Sequence, residues 1–395
     1  VTTSPWPVRP LTECGRLLSG GTPSKANAAY WEGHIPWYSS KELKAFELSD
    51  SELHVSAEGA ANGSNLVPPG TVLFVVRGMS LANEFRVSRT LVEATFNQDV
   101  KALIPAPDLD SRYLTRCLRW LQPRVLSSTE ESSHGTKRLP GQVFENLPVP
   151  VPPIAEQRRV ADILDRADAI RRKRKEVIAL TEEMLRAAFL EMFGDPVTNA
   201  KRWPAKPLAE LGRVTTGNTP SRGVPAYFGD DIEWIKSDNI NTPSHYLTRA
   251  TEGLSAQGRA VGRTVPAGST LMTCIAGSPD CIGNVALADR EVAFNQQINA
   301  VTPHDGVDYR FLYVLLLVGK RLVQAASTNS MKGMVSKGKL EDVLVPAPPP
   351  KAQAQFGEAF DRVLRLSRRQ EAAQSEAQTL FDTTVQRAFS GELAS

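Results

Sequence analysis

The sequence predicts an α+β chain: two similar α/β heads separated by two long helices that form an antiparallel coiled coil, related by a pseudo-twofold internal repeat. Three observations predict it. Residues 6–24, WPVRPLTECGRLLSGGTPS, return as residues 203–221, WPAKPLAELGRVTTGNTPS, with 11 of 19 positions identical and no gap. Each copy then ends in a proline strap, Val-Pro-Val-Pro-Pro at 149–153 and Val-Pro-Ala-Pro-Pro at 345–349. After each strap comes a stretch of helical periodicity far longer than the ~11–12 residues of a mean helix.

The copies stay in register for most of their length. Ile35 and Trp37 answer Ile232 and Trp234, 197 residues on, and Phe96-Asn97-Gln98 answers Phe294-Asn295-Gln296, 198 on. Past the heads the offset is 196, with Glu145 answering Glu341. Such small drifts mark a duplicated domain and not a solenoid repeat. Within each head, Thr71–Val76 and Thr270–Ile275 read as β-runs entered through a Pro/Gly turn. Helices are predicted over Asp110–Leu121 and Asp308–Leu322, where leucines recur at helical spacing. The straps, 148–153 and 346–350, are expected to be extended because proline fixes φ and restricts the residue before it. The first long helix has no Gly or Pro between Ile154 and Phe193; Ile163, Ile170, Val177 and Met184 recur every seven residues, joined by Val160, Ala167, Leu180 and Ala188. The second carries Phe356, Phe360, Val363, Leu366, Leu380, Val385 and Phe389, with a more polar middle. At 1.5 Å per residue each helix is ~60 Å long and needs a partner for its seam, which the other copy supplies. The expected divisions are 1–152 for the first head, 153–195 for the central helix, 196–348 for the second head and 349–395 for the C-terminal helix. A pseudo-twofold would set the heads at opposite ends of a rod, as a ruler.

Bulk properties narrow the class. Apolar content of 41% and charged content of 23% are those of a globular chain. The longest apolar stretch, Phe311–Val318, is less than half a membrane span, so no membrane partner is expected. The polar, Pro-rich N-terminus lacks an apolar core of signal-peptide type. Cys14, Cys117, Cys274 and Cys281 have no CxxC spacing and no matching positions in the two copies, which points to reduced thiols and a cytoplasmic setting.

Motifs for catalysis are missing. There is no GxxxxGK[ST], no FxGxG-type cofactor loop and no Asn/Asp-Pro-Pro-aromatic tetrapeptide. Glu42-Leu43-Lys44 has the spacing of half a nuclease metal site, but the second copy reads Ser-Asp-Asn-Ile there. His34, His54, His134, His245 and His304 are scattered without metal-ligand spacing. The chain is read as non-enzymatic, with no cofactor or metal of its own. Two other classes stay open on the residues: a nuclease or methyltransferase without recognisable motifs, and a protein-interaction scaffold without a DNA role.

The whole pattern, from Trp6 to Leu393, resembles the specificity subunit of type I restriction–modification systems (the HsdS family). Its carriers are Pro-Val-Pro-Val-Pro-Pro-Ile-Ala-Glu-Gln at 148–157, Arg387-Ala-Phe-Ser-Gly-Glu-Leu393, the repeated Gly-x-Thr-Pro-Ser turns at 20–24 and 217–221, and Gly135-Thr136-Lys137. The second strap departs from it, with Lys351-Ala352 where the first has Ala155-Glu156, though Gln353 is kept. The resemblance implies two target recognition domains that each read half of a split site in double-stranded DNA. It implies two methyltransferase subunits docked on the helices, which bring S-adenosylmethionine and methylate adenine N6, and restriction subunits that can join them.

Candidate contacts follow from residue type, because base edges are read by polar side chains and phosphates by cations. In the first head these are Ser39, Ser40 and Lys41 just past Trp37, Arg77 and Arg86 around the loop after the β-run, and Lys137 and Arg138 before the strap. In the second they are Lys236, Ser237 and Asn239 past Trp234, and Lys332 and Lys337. Both tryptophans and the shared Phe-Asn-Gln read as scaffold, and the basic run 171–175, bracketed by acidic residues, as a solvated or partner-facing helix surface. A net charge of +3 releases few counterions, so weak DNA binding by the isolated chain is expected.

Overall fold

The computed structural model describes residues 6–132, 135–327 and 333–393. Contacts divide the chain into two compact units: residues 1–174 with 373–395, and residues 175–372. Each unit holds one head plus one half of each long helix.

In the first unit the head centres on a five-stranded sheet ordered Gly15–Ser19, Val100–Pro105, Val72–Val75, Val87–Thr90 and Glu47–Leu48, antiparallel except at the last pair. A second sheet places Ile35–Tyr38 between Leu53–Val55 and Thr95–Phe96. The second unit repeats the plan. Gly212–Thr216, Ile298–Pro303, Thr270–Thr273 and Val285–Leu287 form its main sheet, and Phe228–Ile235 pairs with Val292–Phe294 in the other. Strands buried on both faces explain the unbroken apolar runs; Val72, Leu73, Phe74 and Val75 are all 0% exposed. The sheets are covered by helices Ser111–Trp120 and Tyr309–Val318, started by Asp110 and Asp308, whose carboxylates accept from the next free N–H groups. The helix expected through Leu322 is interrupted at Gly319, and a separate helix runs from Lys320 to Ala325.

The straps are edge strands. Pro148–Pro150 pairs antiparallel with Val8–Pro10, and Leu344–Pro346 with Ala205–Pro207. Just beyond each, a glutamine ties strap to head. Gln157, fully buried, donates from Nε2 to the carbonyls of Asp108 (3.0 Å) and Pro152 (2.8 Å) and accepts from the Asp110 N–H (2.9 Å). Gln353 donates to Pro348 (2.8 Å) and accepts from the Asp308 N–H (3.1 Å). The Lys351-Ala352 departure therefore leaves this clamp intact.

The long helices run Ile154–Phe193 and Pro350–Ser390, each followed by a left-handed glycine, Gly194 (φ +77°) and Gly391 (φ +84°). Within the first unit Arg171 reaches Gln378 and Arg159 reaches the Leu393 carbonyl; within the second Phe189 and Phe193 pack on Phe356. Early residues of one helix meet late residues of the other, so the pairing is antiparallel. The expected heptad seam needs correction. Ile170, Val177, Leu180 and Met184 are 37–56% exposed, and Leu366 and Leu380 are exposed too. The buried positions are Val160, Ala161 and Leu164 at one end and Leu185, Phe189 and Phe193 at the other. Each half-helix packs on its head as well as on the other helix, so the buried face is chosen by the head. Asp168, Thr181 and Ser367 are the buried residues of the middle. Among the described residues no helix is long and apolar enough to cross a membrane.

Candidate nucleic-acid interface

One hydrogen-bonded frame, present in both heads, decides where the surface loops emerge. The Gly-x-Thr-Pro turn lies directly on the Phe-Asn-Gln segment: a Cβ on Gly20 would sit 2.0 Å from the Asn97 carbonyl oxygen, and one on Gly217 2.2 Å from that of Asn295. The next N–H, of Gly21 or Asn218, donates to the carbonyl of Phe96 (2.9 Å) or Phe294 (3.0 Å). Its carbonyl accepts from the indole of Trp37 (3.0 Å) or Trp234 (3.2 Å). The hydroxyls of Thr22 and Thr219 donate to Gln98 and Gln296. Asn97 and Asn295 are each 7% exposed and accept the N–H two residues on, that of Asp99 (3.1 Å) or Gln297 (3.0 Å). Both tryptophans are buried, and the Phe-Asn-Gln residues hold the frame, as their repetition implies.

In the first head the chain leaves this frame into a small ladder. Arg77–Gly78 pairs with Lys137–Arg138, which pairs with Glu130–Glu131. Arg77 lies opposite Arg138, two cations side by side on one face, since cross-strand partners share a face. Arg138 pairs with Glu130 at 3.1 Å and Lys137 with Glu131 at 3.3 Å. Such exposed pairs contribute only ~0–1 kcal/mol and give way readily to a stronger anion. Among the described residues Arg77 and Lys41 are exposed and have no ion pair. Ser39 is less free, its N–H (2.8 Å) and hydroxyl (3.0 Å) both donating to the Glu42 carboxylate. Arg86 braces the same loop, donating to the carbonyls of Ser40 and Lys41 (both 3.4 Å) and pairing with Glu84 (2.8 Å). Ser40, half-buried, lies beside Gly78 across the junction. The structure thus brings Ser40, Lys41, Arg77, Arg86 and the Lys137–Arg138 strand into one neighbourhood.

The second head uses the same ladder with different chemistry. Ile275–Ala276 pairs with Gly333–Met334. The register is fixed by matching bonds: the Leu139 N–H donates to Val76 (2.8 Å), and the Val335 N–H to Cys274 (2.9 Å). Gly333 and Met334 therefore stand where the first head has Lys137 and Arg138. Lys337 does not occupy that place; it opens the helix Lys337–Glu341 and pairs with Glu341 at 3.5 Å. Lys332 lies outside the described residues, as does His134. Lys236 pairs with Glu252 (3.0 Å) and lies 5.3 Å from the Trp234 ring centroid. Hydrogen bonds from Lys236 and Arg222 hold the Glu252 carboxyl below its usual range. Ser237 begins the turn that follows, half-buried. Asn239, expected as a DNA contact, turns inward. It is 7% exposed, accepts from the Lys236 N–H (3.0 Å), and donates to the Arg249 carbonyl (3.0 Å) and the Thr248 hydroxyl (3.4 Å). An asparagine at a turn finds backbone partners close by, and the burial that follows removes it from a groove.

Sequence reasoning missed that Arg77 and the Lys137–Arg138 strand are neighbours, because their pairing joins segments some sixty residues apart with no local signal. It also passed over Arg116 and Arg119, hidden in the helix Ser111–Trp120. The basic run is partly committed on its own helix, Arg171 pairing with Asp168 at 2.7 Å and Arg172 with it at 3.7 Å. Among the described residues no three His, Cys, Asp or Glu side chains gather as a metal site.

Comparison with known proteins places this geometry. The model of the type I restriction modification DNA specificity domain matches twice, at residues 3–180 and 200–376. The specificity subunit of the type I restriction enzyme EcoR124I/EcoR124II from Escherichia coli is 31% identical over 162 residues, a stretch that spans 40% of this chain and 40% of that relative. The S subunit of a type I restriction–modification system from M. genitalium superposes with a TM-score of 0.58 at 12% identity, covering 98% of this chain and 97% of that one. A chain from a structure describing complex assembly and conformational transition of the type I R-M system gives 0.63 at 16%, covering 98% of each. At these identities the two superpositions speak to the fold alone. The double match, spanning both heads and most of both long helices, shows that the chain belongs to the type I restriction modification DNA specificity family.

Proposed function

We propose that this chain is the DNA-reading subunit of a type I restriction–modification complex, each head reading one half of a bipartite site in duplex DNA. The observation that carries the reading is the contrast between a shared frame and an unshared surface. The ladder that bears Arg77, Lys137 and Arg138 in one head bears Ile275, Gly333 and Met334 in the other. Two heads that read different half-sites need one scaffold and two surfaces. In the first head Lys41, Arg77, Arg86, Lys137 and Arg138 are the phosphate contacts, with Ser39 and Ser40 nearest to base edges; in the second, Lys236, Ser237, Lys332 and Lys337 remain candidates. The chain recognises, and partners do the chemistry. Two methyltransferase subunits dock on the long helices and bring S-adenosylmethionine, and restriction subunits join the assembly in the cytoplasm. The proposed divisions remain 1–152, 153–195, 196–348 and 349–395.

The test is single-molecule mapping of N6-methyladenine in cells that express this chain with its cognate methyltransferase. The expected result is a split motif with a fixed gap, of which one half changes when residues 1–152 are exchanged for those of a relative. Absence of methylation from an assembled, active partner would reject the reading in favour of a scaffold.

A further inference from the structure

The first unit contains a cavity of 380 Å³ where the helix Ser111–Trp120 meets the long helices, and four arginines line it: Arg86, Arg116, Arg119 and Arg171. The second unit has its own cavity at the equivalent place, 240 Å³, lined by Leu185, Val314, Leu317 and Val318 together with Glu183, Arg186 and His245. The offset of 198 sets Val314, Leu317 and Val318 at the positions of Arg116, Arg119 and Trp120. Exchange of the two helices likewise sets Leu185 at the position of Phe381, which lines the larger cavity. On the head helix itself, the second unit therefore packs with aliphatic residues at the positions of Arg116 and Arg119. The fold does not require arginines at those two positions, and burying Arg116 is costly.

Most of that charge is answered within the protein. Arg116, 5% exposed, pairs with Asp165 (2.9 Å) and Asp168 (3.1 Å), its guanidinium 4.0 Å from the Phe46 centroid. Arg171 pairs with Asp168 and Arg86 with Glu84. Two carboxylates also line the wall: Glu84 pairs with Arg86, and Asp382 accepts from the neutral Gln378 amide and keeps its charge. Arg119 differs. It donates to the carbonyls of Val87 (2.8 Å) and Ala45 (3.0 Å), and among the described residues it has no carboxylate partner. Burial, then the charge of Arg116, push its pKa down to about 10. The buried Nε of Arg116 also lacks a hydrogen-bond partner. Phe46 beside the cavity carries Arg116 and Arg119, and Phe381 on its wall carries Arg171; Phe85 and Trp120 also line it.

A cavity lined by four arginines against two carboxylates, with one guanidinium held only by carbonyls, fits an oxyanion, which the planar fork of arginine grips in two bonds. Its volume falls in the usual range for small-ligand sites. We propose that this cavity binds a small phosphate-bearing anion, with Arg119 as the principal donor.

The test titrates the full-length chain with inorganic phosphate and, separately, with ATP, by calorimetry at constant ionic strength set with chloride. Expected is saturable binding at one site per chain, weakened at least tenfold by R119L, which installs the residue of the equivalent position, and less by R119K. Equal affinities for the two probes would mean that phosphate alone is gripped; tighter ATP would mean that the nucleoside adds contacts. Circular dichroism and thermal melting establish that R119L is folded, and R119Q serves if it is not. Three outcomes would overturn the proposal: no saturable binding at millimolar probe, binding insensitive to R119L and R119Q, or an R119L defect confined to duplex DNA.

Discussion

Removal of the glutamine clamp tests the link between strap and head most directly. Gln157→Ala leaves three backbone groups without a partner: the Asp110 N–H and the carbonyls of Asp108 and Pro152. An orphaned buried group costs about 1–3 kcal/mol, with donors worst because a carbonyl keeps a second lone pair for other partners. The sum is about 3–5 kcal/mol. For a folding unit of this size each kcal/mol lowers Tm by ~2–4 °C, so a fall of ~6–20 °C is expected in the first unit's transition. Gln353→Ala breaks two bonds and is expected to cost less, about 2–3 kcal/mol, in the second unit. Gln157→Glu keeps the shape and the acceptor but sets a carboxylate against two carbonyl oxygens; it is expected to be no milder than alanine at neutral pH. Urea unfolding and calorimetry measure all three. A Gln157→Ala chain within ~0.5 kcal/mol of wild type, the range of an ordinary surface change, would refute the clamp.

Other tests probe packing, charge and recognition. Gly20→Ala drives a Cβ into the Asn97 carbonyl and the Phe96 ring, and is expected to lower stability by ~1–3 kcal/mol or prevent folding, as measured by thermal melting. Burial alone would raise the Asp168 pKa, but Arg116 and Arg171 bring it below the usual value. A depressed carboxylate contributes stability above its unfolded pKa of ~3.9 and loses it as pH falls through the folded value. Asp168→Asn is therefore expected to destabilise at pH 7, with the difference from wild type vanishing in acid; a gap constant with pH would refute this. In the assembled complex, Arg77→Ala is expected to weaken DNA binding almost equally across sequences and reduce the salt slope by about 1, read by titration at several salt concentrations. Changing exposed Val177, Leu180 and Met184 to glutamate is expected to leave the isolated chain's stability nearly unaltered while reducing methyltransferase assembly, measured by gel filtration. Intact assembly would remove the docking role from that face.

The sequence by itself determined the duplication, the two heads, both long helices and their stops, because these are local or repeated signals. Proline sets the strap's backbone wherever it occurs, glycine ends a helix by its own freedom, and a copied segment is visible without folding. Residues retained in both copies, such as Trp37 and Trp234 or Asn97 and Asn295, were legible as scaffold for the same reason. Only the tertiary structure decided which helix face is buried. Ile170 and Leu164 are equally apolar in a list, but Leu164 meets a head and Ile170 meets water. It also decided that Arg77 stands beside Arg138, that Asn239 turns inward, and that Gly333 and Met334 hold the places of Lys137 and Arg138. The two ladder placements depend on strand pairing between segments far apart in the chain, where a register shift of one residue moves a side chain from one face to the other, and the Asn239 turn on how its loop folds back on itself.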